Sequence, residues 1–388
     1  MKIVGIERFP ITLQPAGHDI MSSDSLPVQT IIIILRTDTG LAGLGEAPVS
    51  SSDDSRTLPA LLSWLNVYES VLVGTDSLNI NAAHYLLDRA SGQHPPGCQM
   101  ARAAVDMALH DIIGKTRGCP VHEILGGAYR TKMELSFRID VESGAEAANL
   151  ARVAINQGYR ALKIGIGDQV LPPVQSISQL DKKCRLLLAV LEAAGADICV
   201  DADANQSLGN PALVSRMFEE VLAKRFYANL ALQQPLHKLD LSGHAVLREK
   251  LPIPVVLSES VVSAEAVMQI ERLGAADRIG LSIERVGGLR SAMRIADICE
   301  ASAIGISPTV TSYTGIGFAA HCHFAAALHD PHPIDVSTCQ SFSESPVVGG
   351  PEIRDGHARL RIAPGLGVQL DENLLHSMVT GGSSLRIQ

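Results

Sequence analysis

Two acids, Asp203 and Glu259, close the short apolar runs ICVDADA and PVVLSES, each with polar neighbours. Carboxylate oxygens beside amides suit a hard cation such as Mg2+, which takes one or two carboxylates and fills its shell with water and substrate. Further oxygens are available from Gln233, with Asn205 and Asp201 as reserves. Asp201 shares a strand face with Asp203 but lies about 6.5 Å further along it, too far to join one small ion without a shift. Its plain alternative is a satisfied carboxylate inside the fold. Lys163, in ALKIGI, can hold a substrate carboxylate, move a proton, or form a buried ion pair with Asp201 or Asp203. Ser136 and Arg138 in MELSFRI, Ser282 and Glu284 in RIGLSIE, and Thr309 after AIGISP are candidates for holding a substrate. Tyr313, just beyond, is a second candidate for proton transfer. His321 and His323 stand two apart in the helical stretch FAAHCHFAAAL, so they do not share a face and read as packing or surface residues.

These runs must be brought to one place. After Thr131, strand-like segments alternate with helical ones seven times, with a poorer eighth near IDVSTCQ. Repeated βα units with that count predict a closed (β/α)8 TIM-type barrel, whose function gathers at the C-terminal ends of the strands. No GxGxxG follows an early strand, which argues against a dinucleotide fold. Ahead of the barrel, MKIVGIERFPITL and VQTIIIILRTDTGLAGLGEA read as strands around a Thr-Asp-Thr-Gly turn, and the chain then turns helical. The expected organisation is an α+β capping domain over residues 1–130 and a barrel over 131–355. The tail, 356–388, is expected to return to the cap. Residues 14–27 read as a mobile loop of small polar residues with His18.

The bulk numbers allow this and exclude other classes. With 388 residues, 46% hydrophobic and 19% charged, the chain can bury a barrel of about 250 residues plus a cap. Aromatics are 4%, while aliphatic residues and Ala dominate, which suits parallel strands covered by helices. A net charge of −9 gives no general attraction to nucleic acid or anionic membranes. The longest aliphatic run, Ile31 to Leu35, is far short of the roughly 20 residues of a membrane span. The start has no signal-peptide pattern. Seven scattered cysteines without a CxxC pair fit free thiols in a reducing cytoplasm.

Several segments together resemble the mandelate racemase and muconate lactonizing enzyme branches of the enolase superfamily. They are TDTGLAGLGEAP (37–48), ARAAVDMALHDIIGKTRGCPVHEILGGAYR (101–130), GYRALKIGIG (158–167), DADANQ (201–206), QQPL (233–236), ERVGGLRSAMRIADICEASAIG (284–305) and PGLGV (364–368). The resemblance implies Mg2+-assisted removal of a proton next to a carboxylate, by a racemase, epimerase, cycloisomerase or dehydratase, in a homo-oligomer. It implies metal ligands at Asp203, Gln233 and Glu259, and a cap loop at 14–27, with His18, that selects the substrate. The chain also departs from the pattern. Gln233 stands where the family has a Glu ligand, and Gly165 replaces the second lysine of K-x-K, usually the base. Ser282 replaces the sixth-strand Lys or Asp, Ser258 the lactonizing branch's Asp, and Thr309 lies near the racemase branch's His. Two readings follow: an enzyme of small carboxylates with other acid–base residues, or a non-catalytic binding or structural relative that has lost them.

Overall fold

The computed structural model describes residues 1–14, 27–49, 57–92, 97–167, 177–224, 229–336 and 342–379. His18 and most of the loop around it lie outside these residues.

The chain begins with an antiparallel meander of β1 (Ile3–Leu13), β2 (Val28–Thr37) and β3 (Ala42–Pro48), in that order. The Thr-Asp-Thr-Gly turn joins β2 to β3 through Gly40, whose φ of +82° favours glycine. Helices α1 (Leu58–Leu72), α2 (Ile80–Ala90), α3 (Gln99–Arg117) and the short α4 (Val121–Ile124) follow. Every residue of α3 from Met100 to Gly114 is buried. The helix lies directly on β3, because a Cβ on Gly43 or Gly45 would meet the carbonyl oxygens of Ala108 or Ala104 at 2.0 Å. The glycines of GLAGLGEA are therefore a contact surface for a helix.

The barrel runs β4 (Lys132–Ile139), α5 (Gly144–Asn156), β5 (Ala161–Gly165), α6 (Ile177–Ala194), β6 (Cys199–Asp203), α7 (Pro211–Lys224), β7 (Leu230–Gln233), α8 (Leu241–Lys250), β8 (Val255–Leu257), α9 (Ala264–Leu273), β9 (Arg278–Leu281), α10 (Leu289–Ala301), β10 (Gly305–Pro308), α11 (Gly315–Ala327) and β11 (Ile334–Asp335). Neighbours from β4 to β10 pair in parallel. The eighth strand, weakest in the sequence, is two residues long and closes the ring: Asp335 pairs with Ser136 on one side and Thr309 on the other. Side chains alternate along each strand. Leu162, Ile164, Val200, Ala202, Leu230 and Leu232 belong to the apolar core shared with the helices, which leaves Lys163, Asp203 and Gln233 to the interior.

The tail pairs with the barrel and then returns to the cap, where Leu366 donates its N–H to Asp111 on α3 and Gly365 bridges to Pro120. After β12 (Val347–Gly349), β13 (Glu352–Arg354) and β14 (His357–Arg359) form a hairpin whose second strand pairs antiparallel with barrel strand β4. β15 (Val368–Leu370) then pairs with β12, α12 (Glu372–Met378) contacts β1, and Val379 bridges to Ile11.

Candidate functional site at the barrel mouth

Lys163 anchors the site. Its side chain is buried, and its ammonium donates to Gln233 Oε1 at 2.8 Å and to Asp335 Oδ2 at 2.6 Å. Of the partners considered for it in the sequence, neither Asp201 nor Asp203 is the one used. Asp201 lies lower on β6 and pairs with Arg278 at 2.5 Å, away from the group formed by Asp203 and Gln233. Asp203 and Gln233 face one another across the β6–β7 register, and Gly165 lies opposite Asp203 on β5.

Asp203 is held by two neighbours. Its Oδ2 accepts from Arg138 Nη1 at 2.8 Å, and its Oδ1 from the backbone N–H of Asn205 at 3.2 Å. Asn205 also donates through its side chain to the carbonyl of Gly167 at 3.1 Å. Asn205 and Gln206 have φ of +46° and +66°, and Gln234, after β7, has +39°. Left-handed non-glycine residues are uncommon and collect at functional sites. Gln234 is fixed by accepting from the N–H groups of Ser258 and Ser260, which sets the start of the segment carrying Glu259.

The Asp140 carboxylate, with Arg138 beside it, fills the space at position 165. A Cβ built on Gly165 would lie 2.2 Å from Asp140 Oδ1 and 3.7 Å from Arg138 Nη2. Arg138 Nε donates to Asp140 Oδ2 at 2.5 Å. Burial opposes its charge, but the carboxylates of Asp140, Asp203 and Asp335 outweigh burial and raise the guanidinium well above its usual range. Glu259 is in the opposite position. Burial, then the charge of Asp203, push its carboxyl up, against the pull of Arg285 and Lys163, and its buried Oε2 has no hydrogen-bond partner among the described residues.

Of the other expected site residues, Ser282 and Glu284 form a group of their own, while Ser136 and Thr309 flank Asp335. Ser282 donates to Glu284 Oε2 at 2.8 Å, Thr311 donates to the same oxygen at 3.1 Å, and Ser312 donates to Oε1. His321 Nε2 lies 3.3 Å from Glu284, so that acid is enclosed by its own partners. Ser136 is buried beside Asp335, and the Thr309 hydroxyl donates to the carbonyl of Ser307 at 3.3 Å. Tyr313 stands edge-on to Phe342, centroids 6.1 Å apart. His323 stacks on His122 in the interior, a packing role.

Four residues of this region were not picked out in the sequence. Asp140 follows β4 and Asp335 ends β11, positions that could have marked them, but Asp335 sits on the run least like a strand. Arg285 donates to the carbonyl of Ser258 at 3.0 Å and to its hydroxyl at 3.1 Å. Glu46, on the cap, accepts from the N–H groups of Tyr313, Thr314 and Gly317.

Comparison with known proteins agrees with this architecture. Residues 11–126 match the model of the mandelate racemase/muconate lactonizing enzyme N-terminal domain, and residues 146–374 that of the enolase C-terminal domain-like fold. The chain belongs to the mandelate racemase/muconate lactonizing enzyme family of the enolase superfamily. Among curated members, it is 26% identical to the N-succinyl-L-Arg/Lys racemase of Bacillus cereus over 97% of this chain and 98% of that protein. The solved muconate cycloisomerase of Pseudomonas fluorescens superposes with a TM-score of 0.86 at 26% identity, over 98% of this chain and 99% of that one. A dipeptide epimerase of Enterococcus faecalis, solved with Mg and the dipeptide L-Leu-L-Tyr, gives a TM-score of 0.83 at 23% identity, over 95% and 100%. These relatives are isomerases by name and act on small molecules.

The family's ion does not fit the donors of this chain as they are arranged. Asp203 is occupied by Arg138 and Asn205, and the Gln233 oxygen brings no charge and already accepts from an ammonium. Of the three expected ligands, Glu259 alone has a buried oxygen with no hydrogen-bond partner among the described residues. Among the described residues, no group of three or more His, Cys, Asp or Glu side chains is placed to hold a metal. No described helix is long and apolar enough to cross a membrane.

Proposed function

We propose that this protein is an isomerase-type enzyme that moves a proton on the carbon next to the carboxylate of a small molecule. N-acylated amino acids and dipeptides are the first substrates to consider, because relatives similar to this chain over nearly its whole length are named for them. The observation that carries the reading is the buried cluster at the strand ends, where Lys163 and Arg138 meet Asp335 and Asp203. Two fixed cations at a barrel mouth can bind a carboxylate and stabilise the negative charge that appears as its α-proton leaves. Lys163 is the amine of this cluster for moving that proton, and Tyr313, beyond β10, is the second candidate.

The second reading, a binding protein without turnover, draws on one observation. Both partners of Lys163 hold its ammonium in place, and Gly165 offers no second base. Proton exchange separates the two. In D2O, N-succinyl amino acids and dipeptides should gain α-deuterium with the wild type and not with Lys163→Met, read by mass spectrometry. Binding of these compounds with no deuterium uptake under any metal supplementation would sink the enzyme reading and favour the second.

A further inference from the structure

We propose that Arg138, rather than a divalent ion, is the cation that a substrate carboxylate meets in this site. The inference rests on the carboxylate-enzyme reading above and adds to it a resident electrophile. Four observations carry it. Gly165 leaves room that the Arg138–Asp140 pair fills, so that a side chain at 165 would collide with Asp140. Arg138 Nη1 occupies the Asp203 oxygen that a metal would need. Gln233, where an acid would bind an ion, brings no charge and instead accepts from Lys163. Finally, Arg138 commits Nε to Asp140 and Nη1 to Asp203, while Nη2 has no hydrogen-bond partner among the described residues and the side chain is 14% exposed. A guanidinium held by two of its edges with its third donor group available is preorganised to receive one carboxylate oxygen.

The test is a Mn2+ titration of the full chain followed by electron paramagnetic resonance, beside calorimetric binding of N-succinyl-L-lysine in EDTA. The wild type should leave the free-ion Mn2+ signal unchanged at millimolar concentration and bind the succinylated probe with the chelator present. Arg138→Gln should weaken that binding at least tenfold, Arg138→Lys should recover part of it, and Arg138→Gln with Gln233→Glu should gain one Mn2+ per chain. Stoichiometric Mn2+ on the wild type that is lost in Glu259→Gln overturns the inference, as does probe binding that requires Mn2+. The wild-type titration alone can overturn it, so a variant that fails to fold does not shield it. Turnover that depends on Mn2+ would remove this inference and leave the isomerase. A protein that binds the probe in EDTA without exchanging its α-proton would remove the isomerase and leave Arg138 as a carboxylate anchor.

Discussion

Glu46 Oε2 on strand β3 accepts the hydroxyl of Thr314 at 2.6 Å, and the two oxygens of Glu46 also accept the N–H groups of Tyr313, Thr314 and Gly317. Thr314 is the N-cap of α11, so an acid from the cap closes the start of a barrel helix. The partial positive charge at a helix N-terminus favours a carboxylate there. The same contact fixes the backbone of Tyr313 at the mouth. Glu46→Ala leaves buried donors without an acceptor, each worth about 1–3 kcal/mol. A total loss of at least about 4 kcal/mol in urea unfolding is expected, with a smaller one for Glu46→Gln, which keeps one acceptor oxygen.

Lys163 and Asp335 form a buried pair, so removing one partner strands the other. Lys163→Met is expected to cost about 3–5 kcal/mol. Adding Asp335→Leu should return most of that stability. Deuterium exchange should stay absent in the double variant, which separates the amine's part in reaction from its part in folding.

Gly45→Ala places a methyl group 2.0 Å from the carbonyl of Ala104, on backbone that cannot swing away. The sheet must part from α3. Overpacking of this kind costs about 1–3 kcal/mol, and the upper end is expected in thermal unfolding. Gly40→Ala, at an open turn, should cost less and only through its φ.

Acid should weaken the protein through His244. Burial depresses its pKa to about 4 against the opposing pull of Asp240, and its ring N–H can donate to the carbonyl of Asp240 at 2.7 Å. Because the folded value lies below the unfolded one of 6.5, the unfolded chain takes up the proton first as pH falls. The stability is complete above about pH 6.5 and is lost progressively towards pH 4. About 2 kcal/mol should disappear between pH 7 and 4.5, read by urea unfolding, and His244→Gln should flatten that slope. Loss on the alkaline side instead would contradict the buried neutral ring.

Much of the fold is legible in the residues, because alternation within ALKIGI or NLALQQP and the helical period between them follow from which faces are buried. The meeting of Asp203 with Gln233 follows once the strands are ordered. What escapes is whatever depends on reach across strands. Arg138 is one strand removed from the gap at Gly165 and two from Asp203, and nothing in FRID states that its guanidinium turns that way. Glu46 reads as part of a strand followed by a turn, while its partners lie 267 and more residues onward. Asp335 belongs to a strand too short to show a period. The tail's first partner escapes for the same reason, since β14 adds to barrel strand β4 before Leu366 and α12 meet the cap.

Helix α3 places Ala103 and Met107 in the core that lies under the barrel helices, and Ala104, Val105 and Ala108 in the core of the cap. One rigid rod is thus the shared wall of two rooms. Loosening the cap therefore withdraws a surface of the barrel, and the two parts are expected to melt together rather than one at a time.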